Sequence, residues 1–229
     1  MEDSADVDYQ RMEERLQALL GEHAAVSCCS TDGDVSTLAP IERSAVAGAI
    51  HRRQKEFSAG RAAAREAMRR LGRTTASVPM QDDRSPRWPT DLVGSISHSH
   101  ATCISIVAAK SHWQSVGVDV EPDQDLPHEL WGLIGHPNEL RQASVLPDAV
   151  RGRWMMRIFS AKEAYYKWVY PQTRQMLEFL DVEIVMSPTL ESTVFRVYSR
   201  HDEMNGISAR QPSGRLLIDQ NTIISLVVH

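Results

Sequence analysis

The order of the predicted helices and strands limits most strongly the folds available to this chain of 229 residues. Apolar residues at helical spacing predict a short amphipathic helix over residues 9–20, and residues 24–38 resemble a strand pair with an Asp-Gly turn. A helical stretch follows from Pro40 to about residue 57. Ser58 is the predicted N-cap of a further helix, which stops at Gly72.

Strand predictions dominate the segments that follow these helices. Short apolar or alternating runs predict strands at 93–98, 103–109, 116–121, 181–187, 193–198 and 222–228. Between the two groups of strands lie a short helix near 137–145 and the best-defined helix of the second half, 152–169. No repeat or linker marks a boundary, and if the chain forms two halves they join near residues 111–116.

The composition is that of a soluble globular protein, with 42% hydrophobic and 24% charged residues. No apolar run approaches the roughly 20 residues that span a bilayer, and the acidic N-terminal segment differs from a secretory signal. Three cysteines, two of them adjacent, predict no disulfide framework. We therefore expect a cytoplasmic protein without a membrane partner, and the net charge of −5 argues against general nucleic-acid binding.

Positive charge is concentrated in one segment of this acidic chain. Within residues 52–73 the basic residues are Arg52, Arg53, Lys55, Arg61, Arg65, Arg69, Arg70 and Arg73. Such a segment fits either a solvated helix face or a site for an anionic partner, such as a phosphorylated ligand or an acidic protein. With a helix beginning after Ser58, Arg61 would lie in its first turn, where the helix dipole already favours anions.

Two acidic residues alternate in the strand predicted at VGVDVE. Side chains two residues apart in a strand face the same side, so Asp119 and Glu121 project together while Val118 and Val120 face the core. Two carboxylates on one face repel each other unless a cation lies between them, and Mg²⁺ prefers such oxygen ligands. Taken alone, the pattern is better explained by an exposed polar strand face.

The helix predicted at RIFSAKEAYYKW places Phe159, Glu163 and Lys167 at i, i+4 and i+8, along one stripe. Glu163 and Lys167 could form a helix-stabilising pair worth a few tenths of a kcal/mol. Alternatively, Glu163 is a third metal ligand or a base, and Lys167 contacts a phosphate or a leaving group.

The segment GSISHSH places His98 after a run of small residues. His98 could donate a hydrogen bond to a phosphate oxygen or lie in the core. Together with His100 it could also form part of a transition-metal site, but no cysteine or further histidine at ligand spacing supports that hypothesis.

Taken in order, these segments resemble the larger, surfactin- and enterobactin-type class of 4′-phosphopantetheinyl transferases. The matching segments are RRQKEFSAGRAAAREAMRRLG at 52–72, RSPRWPTDLVGSISHS at 84–99, VGVDVEP at 116–122 and FSAKEAYYKW at 159–168. The resemblance implies an α+β fold of two similar halves, 1–115 and 116–229, which are related by a pseudo-two-fold axis with coenzyme A between them. It also implies that a monomer is sufficient.

The resemblance implies a role for each matching site residue. Asp119, Glu121 and Glu163 would bind Mg²⁺, with Mn²⁺ as an alternative, and Lys162 and Lys167 would lie near the coenzyme A phosphates. The implied coenzyme A contacts from the first half are Arg53, Arg61, His98 and, in the loop before P-x-W-P, Arg84. Some relatives have a lysine in the 79–83 region, where this chain has none, so no phosphate contact is expected there.

The implied reaction transfers the 4′-phosphopantetheine arm of coenzyme A to a serine of an acyl or peptidyl carrier protein. Asp119, Glu163 and Lys167 are the catalytic candidates, with Glu163 as base, metal ligand or both, and adenosine 3′,5′-bisphosphate leaves. Because carrier proteins are usually acidic, we expect a basic and apolar docking surface. Its candidates are Arg151, Arg153, Arg157, Trp154, Met155 and Met156. Alternatively, Met155 and Met156 fill the core together with Ile158.

Two other functions use the same residues. A metal-dependent hydrolase would use the three acids with water as the nucleophile and break down coenzyme A without a carrier protein. A coenzyme A sensor would need the arginines more than the carboxylates, so the presence of Asp119, Glu121, Glu163 and Lys167 argues for an enzyme. The pathway of the carrier protein is not defined by these motifs, although the enterobactin-like pattern favours secondary metabolism.

Overall fold

The computed structural model describes residues 7–74, 77–191, 193–199 and 212–228. It has an α+β architecture, in which helices pack against a three-stranded and a five-stranded sheet. The chain divides into two compact units, residues 1–116 and 117–229. Within the described residues, no helix is both long enough and apolar enough to cross a membrane.

The first unit is a helix-covered antiparallel sheet. Its helices are α1 (Tyr9–Leu20), α2 (Pro40–Ala45) and α3 (His51–Arg70), and its strands are β1 (Ala24–Ser30), β2 (Leu92–Ser99) and β3 (Thr102–Ala109). The sheet order is β1-β3-β2, and β3 pairs antiparallel with both neighbours. Small side chains on α3, including Ala59, Ala63 and Ala64, are fully buried, so this helix packs closely against the sheet.

Three local predictions for this unit are wrong. The helical stretch expected from Pro40 to about residue 57 is interrupted, because α2 ends at Ala45 and α3 begins at His51. Ser58 does not cap a helix, because α3 continues through it and its hydroxyl donates to the carbonyl of Asp34 at 2.6 Å. Arg61 consequently lies in the middle of α3, away from the helix N-terminus. The strand pair expected within 24–38 is also absent: β1 pairs with β3, and a 3₁₀ turn occupies Val35–Thr37. A Cβ at Gly33 would lie 2.3 Å from the backbone nitrogen of Ala59, so this glycine serves close packing on α3.

The second unit places one long helix against its sheet. The elements are β4 (Val116–Pro122), α4 (Trp131–Ile134), α5 (Pro137–Ser144), α6 (Asp148–Thr173), β5 (Val182–Val185), β6 (Val194–Ser199), β7 (Ser213–Asp219) and β8 (Thr222–Val228). The sheet order is β4-β8-β7-β6-β5. The helix predicted at 152–169 is confirmed as part of α6, and the strands predicted in this unit are confirmed, whereas β7 was not predicted.

Gly117 brings α6 close to β4. A Cβ at this position would lie 2.0 Å from the carbonyl oxygen of Ala164 and 2.7 Å from the backbone nitrogen of Trp168. Those distances are shorter than any real contact, so only glycine allows the helix to approach the strand this closely. The consequence is that the strand bearing Asp119 and the helix bearing Lys167 meet.

Candidate active site

The strand β4 and the helix α6 bring an acidic and a basic side chain together in the second unit. Asp119 is almost completely buried, and its Oδ1 accepts a hydrogen bond from Nζ of Lys167 at 2.6 Å. The Lys167 side chain retains 27% of its accessible surface, so this ion pair borders solvent. Glu121, two residues further along β4, is half-buried. The ion pair therefore links the two predicted motifs of this unit.

Glu163 lies one helical turn before Lys167 and shares the same electrostatic environment. Burial raises the pKa of the Glu163 carboxyl, the Lys167 ammonium lowers it, and the Asp119 carboxylate raises it again, with a net increase. A carboxyl group with a raised pKa holds a proton more readily than an exposed glutamate. A raised pKa of this kind is typical of carboxyl groups that act as acids or bases in catalysis.

The donor chemistry of this site suits a hard divalent cation. The negative charge of Asp119 raises the pKa of Glu163, because two neighbouring carboxylates repel each other. A cation between them would relieve this repulsion. Among the residues that the structure describes, no group of three or more His, Cys, Asp or Glu side chains is arranged to hold a metal ion. Asp119 is paired with Lys167 instead. The assignment of Asp119, Glu121 and Glu163 as ligands therefore stays a prediction.

Lys162 does not occupy the position expected from the sequence. Only 2% of its side chain is exposed, and its ammonium lies 2.8 Å from the carboxylate of Glu139. It also donates to the carbonyls of Ile134 at 2.8 Å and Phe179 at 2.9 Å. Because three acceptors already engage the three N–H donors, Lys162 fixes α6 to its surroundings and does not reach a phosphate in this structure.

Glu139 is a residue that the sequence analysis missed. Its carboxylate accepts hydrogen bonds from the backbone of His136 at 2.7 Å and of Ile184 at 2.6 Å, besides its ion pair with Lys162. Pro137 at the start of α5 and glutamate at the third helical position are a capping-box signal. That signal predicts the contact with His136, but the contact with Lys162 depends on tertiary packing.

In the first unit, α3 and β2 bring Arg53 and His98 together. Nη1 of Arg53 lies 2.5 Å from Nε2 of His98, so this contact has the ring nitrogen accepting the arginine proton. Glu56 lies 3.5 Å from Arg53 and 4.0 Å from His98. Burial alone would raise the pKa of Glu56, but Arg52, His98 and Arg53 together lower it. Two of the predicted coenzyme A residues therefore share one half-exposed cluster.

Arg61 is buried in the middle of α3. Its Nε donates to the carbonyl of Val78 at 2.8 Å, and its guanidinium lies 3.9 Å from the ring centre of Phe57. Burial lowers the pKa of Arg61 to about 10. Among the described residues, Nη2 of Arg61 has no hydrogen-bond partner. A buried guanidinium with an unused donor has the chemistry of an anion contact.

The remaining candidates of the first unit lie in exposed turns. Arg84 has φ of 67° and lies in the turn closed by the bridge between Met80 and Pro86. His100 has φ of 49° and lies in the exposed turn between β2 and β3. Its ring is next to the hydroxyl of Ser99, and the described residues contain no cluster that would make His98 and His100 a metal site.

Most residues proposed for carrier docking are structural. Met155, Met156 and Ile158 belong to the core, as the alternative interpretation predicted, and Trp154 belongs to it as well. Arg157 is buried, pairs with Asp123 at 3.5 Å and donates to the carbonyl of Leu190. Arg151 donates to Leu146 and Ser144, whereas Arg153 is exposed.

Comparisons with known proteins place the chain in a family. The 4′-phosphopantetheinyl transferase N-terminal domain matches residues 41–108, and the 4′-phosphopantetheinyl transferase superfamily matches residues 115–215. The 4′-phosphopantetheinyl transferase Svp of Streptomyces mobaraensis is 33% identical over 171 residues, which cover 73% of this chain and 68% of Svp. PptT of Mycobacterium tuberculosis is 28% identical over 218 residues, covering 93% and 95% of the two chains.

A further relative is component D of enterobactin synthase from Salmonella typhimurium. It is 39% identical over 121 residues, which cover 51% of this chain and 48% of the relative. The matches and the α+β fold define the protein as a transferase. More particularly, the chain belongs to the 4′-phosphopantetheinyl transferase superfamily, whose members transfer phosphopantetheine from coenzyme A to carrier proteins.

Proposed function

We propose that this chain transfers the 4′-phosphopantetheine arm of coenzyme A to a serine hydroxyl of an acyl or peptidyl carrier protein. The other product is adenosine 3′,5′-bisphosphate. The observation that carries the proposal is the ion pair between buried Asp119 and Lys167, one helical turn from Glu163, in a chain of this family. The carboxylates of Asp119 and Glu163 and the ammonium group of Lys167 are thus neighbours where β4 meets α6.

Asp119, Glu121 and Glu163 are the residues that would hold Mg²⁺, or Mn²⁺, in this site. When bound, the ion supplies positive charge that stabilises the negative charge developing on the pyrophosphate. The charge would lie in a surrounding of low dielectric constant, because only 3% of Asp119 is exposed.

Glu163 would take the proton from the attacking serine hydroxyl. Its raised pKa brings it closer to the range in which a general base works at neutral pH. Lys167, which borders solvent, would stabilise the departing phosphate by direct charge. Glu163 and Lys167 are one helical turn apart. The same helix would therefore carry the group that takes the proton and the group that stabilises the leaving phosphate.

Arg53, His98 and Arg61 would bind the phosphates of coenzyme A. His98 accepts from Arg53 in this structure, and a bound anion would replace this contact and accept from the N–H groups of both residues. Arg61 offers its unused Nη2 donor. Arg84, in its exposed turn, is a further candidate contact.

The decisive experiment is mass spectrometry of an apo carrier protein after incubation with this chain, coenzyme A and Mg²⁺. We expect the carrier to gain the mass of phosphopantetheine, and we expect no gain with a chelator or with Glu163→Gln. Glu191→Gln, a substitution of an exposed glutamate in the same unit, is the matched control and should retain transfer.

Other outcomes of the same experiment identify the competing functions. Breakdown of coenzyme A without any carrier protein would establish a hydrolase. Coenzyme A binding without breakdown or transfer, on several carriers, would establish a sensor. Either result would overturn the proposed transfer.

We further propose that the carrier belongs to a siderophore or related secondary-metabolic synthase, and that the chain acts as a cytoplasmic monomer. The similarity to component D of enterobactin synthase supports the choice of carrier. A panel of siderophore, polyketide and fatty-acid carriers, compared by kcat/KM, tests it. Light scattering at working concentration tests the monomer, which a dimer mass would contradict.

A further inference from the structure

We infer that Cys29 and Cys103 form a dithiol modification site, which a low-molecular-weight disulfide oxidises to a disulfide bond across the first sheet. The two residues are direct partners in the antiparallel pairing of β1 with β3. Both pack against the same residues of α3, Ala59 and Ala63, so their side chains share one face of the sheet. All three cysteines of the chain are free thiols in this structure.

The spacing of paired strands suits a disulfide at this position. Directly opposite residues in an antiparallel pair have Cβ atoms about 4.5–5.5 Å apart. A disulfide needs about 3.5–4.5 Å between the same atoms. Oxidation therefore requires only a small local approach of β1 to β3. Cys28 does not compete for Cys103, because its register partner is Ile104 and its side chain faces the other side of the sheet.

The two thiols differ in the way that a disulfide exchange requires. Cys29 is partly exposed, whereas Cys103 is fully buried. The hydrogen bond with Cys103 lowers the pKa of Cys29, although burial opposes this, and Cys29 also lies 3.8 Å from the carbonyl of Ala59. Burial raises the pKa of Cys28. Cys29 is thus the attacking thiol and Cys28 is unreactive.

The exchange balances in two steps. The Cys29 thiolate attacks one sulfur of the small disulfide, forms a mixed disulfide and releases one small thiol. The hydrogen bond with Cys29 and then burial raise the pKa of Cys103, and the first of these causes is lost once Cys29 is a mixed disulfide. The Cys103 thiolate then attacks the Cys29 sulfur and releases the second small thiol. The two protons of the cysteines leave with the two released thiols, the protein dithiol is oxidised, and the small disulfide is reduced.

The position of this dithiol connects it to the proposed coenzyme A contacts, and this consequence rests on the proposed function. His98 is the register partner of Cys103 on the opposite neighbour, β2, so Cys29, Cys103 and His98 form one row across the sheet. His98 in turn contacts Arg53 on α3. Drawing β1 towards β3 shifts this row and the helix packed on it.

The dithiol is tested on the full chain without coenzyme A. Incubation with oxidised glutathione should remove two hydrogens from the intact mass, and a reducing agent should restore them. Peptide mapping should place the bond between Cys29 and Cys103. Cys28→Ala is the matched control and should oxidise like the original chain, whereas Cys29→Ser should not lose two hydrogens.

Two results would overturn the dithiol site. One is a stable glutathione adduct on Cys29 without loss of two hydrogens, and the other is oxidation that persists in Cys29→Ser. Should Cys29→Ser fold poorly, Cys103→Ala provides a second test, and its oxidation should stop at the mixed disulfide.

The effect on the ligand is measured separately by titrating coenzyme A into the reduced and oxidised chains. We expect about tenfold weaker binding after oxidation, the loss of about one hydrogen bond to a charged group. Equal affinity of the two forms would overturn the connection to His98 while leaving the dithiol intact. Absence of binding by the reduced chain would contradict the proposed function instead, so the two failures are distinguishable.

Discussion

Lys162 and Lys167 lie on the same helix in opposite environments. Lys162 is buried and forms its ion pair with Glu139, whereas Lys167 borders solvent beside Asp119. We predict that Lys162→Met lowers the free energy of unfolding by about 3–5 kcal/mol, because it leaves the Glu139 charge buried without its partner. Urea unfolding measures this change.

Lys167→Met should behave differently from Lys162→Met. We expect a smaller loss of stability and a large loss of carrier transfer, because Lys167 is proposed to stabilise the departing phosphate. A loss of transfer in Lys162→Met protein that is still fully folded would contradict the structural role of Lys162. The two variants thus separate a residue that holds α6 in place from one that acts at the site.

Glu66 gives the stability of α3 a pH dependence. Hydrogen bonds from Arg69 and then Arg70, which outweigh a burial effect in the other direction, lower the pKa of Glu66 from 4.5 to about 2. A lowered folded-state pKa means that the stabilisation is fully present above pH 4.5 and is lost as the pH falls towards 2.

We predict that Glu66→Gln costs roughly 0.5 kcal/mol at pH 7, the scale of partly exposed ion pairs, and that the cost disappears at the acidic end of this window. Urea unfolding of both proteins across that pH range measures it. A difference between the two proteins that grows on acidification would contradict the assignment.

At Gly117, where β4 meets α6, a Cβ would lie only 2.0 Å from the backbone of the helix. We predict that Gly117→Ala lowers the free energy of unfolding by about 1–3 kcal/mol, because the added methyl group must displace α6. It should also weaken the binding of Mn²⁺, followed by electron paramagnetic resonance, since Asp119 and Glu163 move apart.

Gly132→Ala is the control for this substitution. A Cβ there would have no atom within 4 Å, so little change in stability or metal binding is expected. Unchanged Mn²⁺ binding in Gly117→Ala would show that the closeness of α6 to β4 does not determine the site.

Elements with a strong local pattern were predictable from the sequence. The periodicity of residues 152–169 and the alternation at Asp119 and Glu121 predicted α6 and β4, whereas the alternating burial expected for β4 is absent because Val116 to Val120 are all buried. The helix start predicted at Ser58 was wrong, because the preference of serine for N-caps is a local signal. The continuous α3 is instead stabilised by tertiary packing on the sheet. The partner of β1 lies in β3, far along the chain, and no local pattern specifies such pairing.

Side-chain partners were less predictable than elements. The motif around Glu163 contains both Lys162 and Lys167, and only burial distinguishes them. Helical spacing correctly related Glu163 to Lys167, but it carries no information on Glu139, which comes from a separate helix. Likewise the shared cluster of Arg53 and His98 depends on the packing of α3 on β2.

Across the protein, the basic segment of α3 is largely neutralised by local acids. Its ion pairs are Arg52–Glu56, Lys55–Asp32, Arg65–Glu42, Arg69–Glu66 and Arg70–Glu13. The ion-paired residues of this helix thus fit the interpretation as a solvated face. Arg53 and Arg61 remain the candidates for an anion site. The net charge of −5 implies that attraction of an anionic ligand depends on the few remaining cations.

We predict that Arg53→Gln weakens coenzyme A binding by about tenfold, as expected for the loss of one hydrogen bond to a charged group. Arg52→Gln is the matched control, because Arg52 is highly exposed and pairs with Glu56. It should change the dissociation constant by less than about twofold. Equal losses in the two variants, measured by calorimetry, would indicate a general charge effect in place of a specific contact.

The packing of Trp88 on Gly94 provides an optical probe of the first unit. Its indole covers this glycine so closely that a Cβ would lie 2.6 Å from the ring, and Gly94 lies four residues before His98 in β2. Trp88 is partly exposed, whereas Trp154 and Trp168 are fully buried in the other unit. Trp113 and Trp131 are also partly exposed. With these two replaced by phenylalanine, the fluorescence of Trp88 should respond to displacements of β2 against a nearly constant background from the buried indoles, so that ligand binding and thiol oxidation can be followed in real time without a label.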